Sequence, residues 1–352
     1  MTPPPARYAT AADGASIAFA TLGEGVPLLF MPPVPFSHVE AMWEQPDQRE
    51  WFERLTRGAQ VAVYDARGTG LSDRSRADFS LDAMTADLEA VVKRLGWDDF
   101  ALCGFFNAAP PAIAYAAAHP TRVTDLVLWG GFTRGVEIFP LAVNDDPSVA
   151  ELYWGMLVDT AARTWTAGAG DEVRATADYF RACVEPRAAL SAFVAAREYD
   201  VTSLLSLVRA RTLVVQRRDA RSQRIEVARH LASGIPNAEL QLLLGEAASP
   251  FSGDIAAGVQ AIEAFLGIDD GESAGSTDTR HTTNLDGPLA ALTAREAEIL
   301  RLIARGRANK EIAADLDVSV HTVERHLTNL YPKIGCRSRT EAAAFALTHG
   351  LA

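Results

Sequence analysis

The first part of the chain alternates between short apolar runs and segments with helical periodicity. The clearest apolar runs are Pro27–Met31, Val61–Tyr64, Phe100–Cys103, Asp125–Trp129 and Thr212–Val215. Short apolar runs separated by helix-length segments are typical of a parallel sheet whose strands are buried on both faces by crossover helices. The pattern therefore predicts an α/β fold for this part of the chain.

Between residues 134 and 207 the alternation stops. This stretch is mostly helical in pattern and is rich in aromatic side chains, namely Phe139, Tyr153, Trp154, Trp165, Tyr179, Phe180 and Phe193. A helical insertion between two strands of a parallel sheet is placed at the edge where the strands end. We predict a helical cap over that edge.

A second boundary lies near residue 270. The stretch Gly267–Pro288 is rich in Gly, Ser, Thr and Asp, and from Asp269 to Asn284 it has no large apolar side chain. Such a composition cannot form a core and is typical of a linker. We therefore predict three segments: a domain at 1–268, a linker at 269–288 and a second domain at 289–352.

Composition narrows the class of protein. A chain of 352 residues with 48% apolar and 22% charged residues is long enough for two cores. No apolar run approaches the roughly 20 residues that a bilayer span needs, and the first residues lack the pattern of a secretion signal. The three cysteines, Cys103, Cys183 and Cys336, are too far apart for a zinc site or a disulfide framework. We expect a cytoplasmic protein with no membrane association, metal or cofactor.

Two turns carry a resemblance to a known family. Tyr64–Asp73, with the sequence YDARGTGLSD, follows a predicted strand, and Gly104–Ala109, with the sequence GFFNAA, joins a predicted strand to the helical segment Ile113–Ala118. These segments resemble two turns of the α/β-hydrolase family. The resemblance implies a parallel sheet with a helical cap for residues 1–268. The glycines of the first turn are expected to serve tight backbone geometry, not catalysis.

The resemblance also locates the catalytic positions of an active hydrolase. The nucleophile of that family lies in a strand-turn-helix elbow of the form G-x-S-x-G, and here Phe106 takes its place. The alignment puts Ala220 at the position of the triad acid, one residue after Asp219. It puts Ala248 at the position of the triad histidine, and no histidine occurs between His230 and His281. Without a nucleophile and an imidazole base, we predict that the domain is not an enzyme.

The oxyanion region departs from the family as well. Active relatives commonly carry His-Gly after the first buried strand, whereas this chain has Met31-Pro-Pro-Val34. Proline has no N–H to donate to a developing negative charge. Cys103 lies next to the elbow, but a thiol in a buried strand is typically inert.

The remaining site is expected to have aromatic walls. Apolar pockets with a few polar groups are how proteins hold small organic ligands. We predict a pocket for a small, largely apolar effector, with Asn107 and His38 as polar anchors and two tryptophans as the roof. The predicted ligand-binding residues are Pro33, Phe36, His38, Phe105, Phe106, Asn107, Trp154 and Trp165. The alternative is that Phe106 fills the hollow and the aromatic residues are ordinary core.

The C-terminal segment carries a second set of motifs. Thr293–Glu296 has the spacing of a helix-capping box, Gly306 is placed to end that helix, and a further helix is expected to begin near Asn309. Ser319 is placed to cap a third helix with Val320, Val323, Leu327, Leu330 and Ile334 on its buried stripe. The segment from Leu292 to Leu351 resembles a LuxR-type helix-turn-helix domain. We expect a small all-α domain here.

The resemblance implies that this domain binds double-stranded DNA. The net charge of the chain is -12, yet the segment from Arg305 to Arg339 contains seven basic and four acidic residues and is locally basic. In LuxR-type domains the third helix lies in the major groove, which assigns base reading to Glu324, Arg325 and Thr328. Phosphate contacts are then predicted for Lys310, Ser319, Thr322, Lys333, Arg337 and Arg339. In this family the fourth helix, here Thr340–His349, pairs two copies, which predicts a homodimer on a two-fold operator.

Together these observations predict a DNA-binding transcriptional regulator with an effector-sensing, catalytically inactive α/β-hydrolase-like domain. Two alternatives remain open at this point. The first is a bifunctional regulator with residual hydrolase activity. The second is a hydrolase-like domain that serves only as a dimerisation or partner-docking platform.

Overall fold

The computed structural model describes residues 3–139, 147–220, 223–268, 294–316 and 338–348, together with eight residues between them: Val323, His326, Leu327, Leu330, Tyr331, Lys333, Ile334 and Cys336. The chain divides into two compact units, Met1–Gly275 and Ser276–Ala352, each with its own core. The linker predicted at 269–288 lies outside the described residues. No helix among the described residues is long and apolar enough to span a membrane.

The first unit is built on one sheet of eight strands. Its order is β1-β2-β4-β3-β5-β6-β7-β8. The strands are β1 Arg7–Thr10, β2 Ser16–Leu22, β3 Val26–Met31, β4 Ala59–Tyr64, β5 Phe100–Phe105, β6 Val123–Trp129, β7 Arg211–Arg217 and β8 Ala238–Leu243. Strands β3 to β8 pair in parallel, and the five predicted apolar runs correspond to β3 to β7. The antiparallel strands β1 and β2 were not predicted, and they make the sheet mixed.

Helices cover both faces of this sheet. They are α1 Pro46–Leu55, α2 Leu81–Leu95, α3 Ala109–Ala118, α8 Ile225–Gly234 and α9 Ile255–Leu266. Helices α2, α3 and α8 contribute Leu88, Ile113 and Leu231 to the core on one face. Helices α1 and α9 contribute Trp51 and Ile262 to the core on the other. Burial on both faces explains why the central strands read as continuous apolar runs.

The cap lies between β6 and β7, as predicted. It consists of α4 Gly135–Ile138, α5 Pro147–Thr166, α6 Asp171–Cys183, α7 Pro186–Glu198 and a 3₁₀ turn at Thr202–Leu207. Cap residues such as Val158 and Phe180 belong to the same apolar cluster as Phe105 at the end of β5. The cap therefore packs directly on the carboxyl edge of the sheet.

The second unit is a small helical domain. Its helices are α10 Ala294–Ala304, α11 Asn309–Asp315 and α12 Arg339–Thr348. Helix α10 ends where the sequence predicted, because Gly306 has a positive φ of 77° and its N–H bonds the Ile303 carbonyl at 2.9 Å. Val323, Leu327, Leu330 and Ile334 are buried against these helices. This confirms the predicted buried stripe, except for Val320, which lies outside the described residues.

Candidate functional site

The turn after β5 has kept the shape of a nucleophile elbow. Phe106 lies between β5 and α3 with a φ of 54°, in the left-handed region that bulky residues rarely adopt. A Cβ on Gly104 would lie 2.8 Å from the Cβ of Ala112, so only glycine lets strand and helix approach this closely. The backbone therefore presents residue 106 at the sheet edge, although its side chain is a phenyl ring.

The structure brings together the three positions that the resemblance assigns to a catalytic triad. Phe106, Ala220 and Ala248 all line one cavity of about 10 Å³ at the carboxyl ends of β5 and β7. None of the three side chains can act as a nucleophile, an acid or a base.

Neighbouring polar groups do not replace the triad. The Ser249 hydroxyl accepts a hydrogen bond from the Phe251 N–H at 3.0 Å, and its side chain is fully buried. Asp219, the residue before Ala220, is exposed and does not line the cavity. His230 lies exposed on α8. The Cys103 thiol is buried in β5, and burial raises its pKa far above the ordinary range.

A loop N–H near the elbow is also engaged. The Val34 N–H donates to Asn107 Oδ1 at 2.9 Å, and the Asn107 amide donates back to the Val34 carbonyl. Asn107 is 2% exposed and does not line the cavities beside it. The prediction that Asn107 is a free polar anchor for a ligand is therefore wrong. Its amide joins the loop after β3 to the elbow, because both of its hydrogen-bonding groups are satisfied by one backbone residue.

An aromatic cluster fills the space under the cap, with Trp165 of α5 at its centre. Phe105, Phe36 and Phe106 lie with ring centroids 4.8, 6.3 and 6.4 Å from that of Trp165. Phe36 also stacks on Phe180 of α6 at 3.9 Å. The predicted clustering of these rings is confirmed. The structure also answers whether the hollow is open, since these rings occupy it.

Trp154 was expected in the roof beside Trp165, but the structure places it elsewhere. It is half-buried on α5 and packs against the apolar core without lining either small cavity. Trp154 and Trp165 are eleven residues apart, and a helix turns by 100° per residue. The two rings therefore lie within about 20° of the same face of the helix but about 16 Å apart along its axis. Only Trp165 is placed at the aromatic cluster at the end of β5.

A second small cavity lies beside the first. Pro33, Phe36, His38 and Trp165, four of the predicted ligand-binding residues, line it together with Asp65. Its volume is about 20 Å³, which is room for roughly one water molecule. An organic effector needs a space of several hundred cubic ångströms, so this cavity would have to enlarge to admit one.

The charges at this cavity are unusual. Asp65 is fully buried, and burial raises the pKa of its carboxyl to about 7, although the backbone N–H groups of Leu71 and Val39 oppose the shift. Both N–H groups donate to Oδ2, at 2.8 and 3.2 Å, while Oδ1 has no hydrogen-bond partner among the described residues. Burial also lowers the pKa of His38, whose Nδ1 accepts from the Ala41 N–H at 3.2 Å.

The glycine-rich turn Tyr64–Asp73 is a structural feature, as predicted. A Cβ on Gly70, which has a φ of 49°, would lie 2.1 Å from the Asp65 carboxylate. Arg67 is buried and its guanidinium contacts the carboxylate of Asp87 on α2 at 2.7 Å. The turn thereby fixes α2 against the sheet and makes room for Asp65.

A larger groove lies away from the triad positions. It has a volume of about 590 Å³, is open to solvent, and runs between α7 and the segment that leads into α2. Its apolar lining includes Phe79, Leu81, Leu190, Val194 and Tyr199. This groove could not be predicted from the sequence, because its two walls are more than a hundred residues apart in the chain.

Sequence reasoning also missed Arg217. This residue ends β7, is 2% exposed and lines the same cavity as Phe106, Ala220 and Ala248. A charged residue at the end of an apolar run such as Thr212–Val215 was the available signal. Among the described residues no cluster of His, Cys, Asp and Glu has the grouping of a metal site.

The helical domain shows some of the predicted DNA-contacting residues. Lys310 is exposed near the start of α11. Arg339 donates to Asn309 Oδ1 at 3.0 Å and to the Arg307 carbonyl, so it fastens the start of α12 to the start of α11. The other predicted contacts, Ser319, Thr322, Glu324, Arg325, Thr328 and Arg337, lie outside the described residues.

Lys333 has a different role from the one predicted. Its Nζ lies 2.7 Å from both carboxylate oxygens of Glu296 on α10, and the two side chains are only 12% and 2% exposed. Because the ammonium is held inside the domain, the geometry argues against the phosphate contact predicted for Lys333. The capping residue predicted at Thr293 lies outside the described residues.

The helical domain matches a known family. The sequence model described as "Bacterial regulatory proteins, luxR family" matches residues 290–346. Among curated proteins, the oxygen regulatory protein NreC of several Staphylococcus aureus strains is 47% identical over 72 residues. The matched part is 20% of this chain and 33% of NreC, so the chain spans about a third of the length of these relatives.

The first unit matches a different family. The sequence model described as "alpha/beta hydrolase fold" matches residues 39–182. Among solved structures, a hydrolase from Pseudomonas aeruginosa is similar with a TM-score of 0.63 and 20% identity, over 74% of this chain and 98% of that one. An esterase from Exiguobacterium antarcticum is similar over the same shares, with a TM-score of 0.64 and 18% identity. At these identities the likeness shows the fold.

The chain therefore joins an α/β-hydrolase-fold domain to a C-terminal helix-turn-helix domain of the bacterial LuxR family.

Proposed function

We propose that this chain, with its LuxR-family helix-turn-helix domain, is a cytoplasmic transcriptional regulator whose α/β-hydrolase-fold domain senses a small organic effector without hydrolysing it. The observation that carries the proposal is the convergence of Phe106, Ala220 and Ala248 on one cavity. The elbow around Phe106 has the backbone geometry of a hydrolase site but lacks its catalytic side chains, which favours a role in binding.

The groups at the site support the proposal that the domain does not hydrolyse its effector. Acyl transfer needs a nucleophile, a base that takes its proton, and N–H groups that stabilise the oxyanion. The elbow carries a phenyl ring, and the Val34 N–H in the adjoining loop is bonded to Asn107. Fold neighbours that are esterases do not bear on this, because the fold is shared by many functions.

Effector binding requires the aromatic cluster to open. The two cavities beside the elbow have volumes of about 20 and 10 Å³, so an effector has to displace rings such as Trp165 and Phe106. A ligand that binds only an open arrangement shifts the population towards it, by as much as its preference for that state. We propose that this rearrangement of the cap is the signal passed to the DNA-binding domain.

The output is proposed to be operator binding by a homodimer. Base reading is assigned to Glu324, Arg325 and Thr328, with phosphate contacts from Lys310, Ser319, Thr322, Arg337 and Arg339. Two copies paired through α12 would present two reading heads, which favours a two-fold operator in double-stranded DNA. Phosphate contacts supply affinity and make binding depend on salt.

A second candidate function is a partner platform. The tightly packed aromatic cluster and the open groove of about 590 Å³ between α7 and the residues before α2 favour it. In that case the elbow is simply part of the core, and no small molecule changes DNA binding.

Thermal unfolding of the full chain against a panel of aromatic acids, esters, lactones and lipids separates these functions. A ligand at a hundredfold excess over its Kd stabilises by about 2.7 kcal/mol, which is a few degrees for a chain of this size. Each stabilising compound is then recovered and identified by mass spectrometry, and its effect on the affinity for an operator selected from random DNA is measured. Recovery of cleaved compound would show an enzyme, and unchanged DNA affinity at saturation would refute effector sensing.

A further inference from the structure

Arg217 is a buried cation at the former catalytic edge. It is the last residue of β7 and lies three residues before Ala220, at the position of the lost triad acid. Its side chain is 2% exposed and lines the 10 Å³ cavity together with Phe105, Phe106 and Ala248.

The guanidinium is attracted by the nearby Asp254 carboxylate but makes few hydrogen bonds. Nε and Nη1 have no hydrogen-bond partner among the described residues, and Nη2 lies at 3.5 Å from the Asp254 carbonyl. The Asp254 carboxylate accepts from the Ala257 N–H at the start of α9. The Arg217 Cζ atom lies over the Trp129 ring, 5.6 Å from its centroid. An arginine has five N–H donors, and a buried charge without paired partners is strongly unfavourable.

One glycine makes room for this side chain. A Cβ on Gly253 would lie 2.2 Å from Nη1, whereas a Cβ on Gly245 would lie at an ordinary contact distance of 3.5 Å from Cδ. Gly253 has a positive φ of 77°. Burial lowers the pKa of Arg217 to about 10, which leaves the group protonated at neutral pH. The side chain is thus tightly enclosed, and Nε and Nη1 have no hydrogen-bond partner in the part of the chain that the structure describes.

We propose that Arg217 binds the carboxylate of an organic acid whose apolar body lies against Phe105, Phe106 and Trp129. This assigns the effector class and rests on the proposed function. A guanidinium matches a carboxylate by two parallel hydrogen bonds, and one negative charge balances the one buried cation. A phosphate would bring up to two negative charges against a single arginine, so the geometry favours a carboxylate.

The space for the acid has to come from a side chain that can move. Phe105 is 1% exposed and packed in the core, whereas Phe106 is half-buried and touches Phe132, Phe139 and Trp165 edge-on. Rotation of the Phe106 ring would extend the cavity from the guanidinium towards the cap. An acid that binds Arg217 would thereby displace the Phe106 ring, which contacts Trp165 of α5. Binding at the guanidinium would in this way move the cap.

The test uses thermal unfolding of the full chain with named probes. Benzoate, phenylacetate, 3-phenylpropionate and hexanoate are each compared with the corresponding neutral amide, at constant ionic strength. We expect at least one carboxylate, and not its amide, to raise the Tm of the wild type by a few degrees. Arg217→Met should abolish this shift, while Arg218→Met, which removes the exposed neighbouring arginine, should retain it.

Two further results keep the test decisive. Without ligand, Arg217→Met should unfold at or above the wild-type Tm, because it removes a buried guanidinium whose Nε and Nη1 have no hydrogen-bond partner among the described residues. Arg217→Lys keeps the charge but cannot form two parallel hydrogen bonds to a carboxylate. This variant should need at least ten times more carboxylate than the wild type for the same rise in Tm. The inference fails if Arg217→Met keeps the shift, if carboxylate and amide act alike, or if no carboxylate in the panel gives an Arg217-dependent shift.

The result is separable from the proposed function. A neutral compound that raises the Tm of both wild type and Arg217→Met and changes operator affinity would leave effector sensing intact and remove the carboxylate assignment. A carboxylate that binds through Arg217 without changing operator affinity would support the site and refute its role in regulation.

Discussion

Asn107 and Val34 hold each other by a reciprocal pair of hydrogen bonds across the edge of the sheet. The Val34 N–H donates to Asn107 Oδ1 at 2.9 Å, and the Asn107 amide donates to the Val34 carbonyl. These residues are 73 positions apart in the chain. In a hydrolase the oxyanion is bound by an N–H of this loop and by the N–H of the residue after the nucleophile. Here the Val34 N–H of the loop donates to the side chain of Asn107, the residue after position 106.

We predict that Asn107→Ala destabilises the first unit by about 2–4 kcal/mol, because it leaves the Val34 N–H and carbonyl without their partner in a buried site. The measurement is chemical denaturation of the full chain. Asn237→Ala is the matched control, since the Asn237 amide donates to the Arg209 carbonyl at 3.3 Å from an exposed position. Equal, small effects of the two substitutions would contradict a role for Asn107 in holding the loop.

We predict that restoring the nucleophile alone does not restore hydrolysis. Phe106→Ser would place a hydroxyl on the elbow, but Ala248 supplies no base to take its proton. Release of p-nitrophenol from p-nitrophenyl acetate should stay at the background rate for the wild type and for Phe106→Ser. Adding Ala248→His to Phe106→Ser is the informative comparison, because it supplies an imidazole at the same cavity. Turnover by the wild type would overturn the assignment of Phe106, Ala220 and Ala248.

The buried carboxyl of Asp65 predicts a pH dependence of stability. Its pKa is about 7 in the folded protein against 3.8 for an ordinary aspartate. The folded state therefore favours the protonated form, so its contribution to stability is fully present below about pH 4 and is lost as the pH rises through 7. The shift corresponds to a loss on the order of 4 kcal/mol at most.

Asp65→Asn should remove this dependence. Asparagine keeps one oxygen for the Val39 and Leu71 N–H groups, both of which donate to Oδ2, and it cannot ionise. We expect the variant to be more stable than the wild type at pH 8 and to lose that advantage towards pH 5. Comparing variant with wild type at each pH cancels the titration of the nearby His38. Asp219→Asn, at an exposed position, should leave the wild-type profile unchanged, and a parallel profile for Asp65→Asn would refute the prediction.

Because Lys333 pairs with Glu296, we predict that substituting Lys333 lowers the stability of the helical domain, whereas substituting the exposed Lys310 weakens DNA binding. Lys333→Ala should destabilise the helical domain by about 3–5 kcal/mol, because it removes the ammonium that lies 2.7 Å from a carboxylate that is only 2% exposed. The double variant Lys333→Met/Glu296→Leu should recover most of that stability. Thermal unfolding of the full chain measures both.

Lys310→Ala is the contrasting variant. Lys310 is exposed, so its loss should change stability by less than about 0.5 kcal/mol. It should weaken DNA binding and reduce the slope of log affinity against log salt by about one. Fluorescence anisotropy below the unfolding transition provides the slope. If Lys333→Ala reduced the slope of log affinity against log salt by a similar amount at that temperature, Lys333 would be a phosphate contact after all.

Local sequence pattern was enough to predict several parts of this protein. The central parallel strands are buried on both faces and apolar, so β3 to β7 were visible as runs, and the helical interruption marked the cap. The edge strand β8 is only partly buried and is not such a run. The elbow at Gly104–Ala109 was visible because its small residues are required locally. Gly306 ended α10 for the same reason, since a positive φ selects glycine. The strands β1 and β2 were missed because β1 has only four residues and too little alternation to detect.

Which polar and aromatic groups meet depends on contacts between distant parts of the chain. Asn107 was expected to face a ligand, but it contacts Val34 across 73 residues, and no local pattern encodes such a pairing. Trp165 lies in the aromatic cluster and Trp154 does not, because the two lie about three turns apart along one face of α5. The position of the sheet edge under the helix decides which of them reaches the cluster. Lys333 was expected to face phosphate, but it contacts Glu296 on another helix. The sequence does not distinguish Arg217 from the other arginines. The packing of Trp129, Gly253 and Phe106 around it leaves a buried guanidinium whose Nε and Nη1 have no hydrogen-bond partner among the described residues.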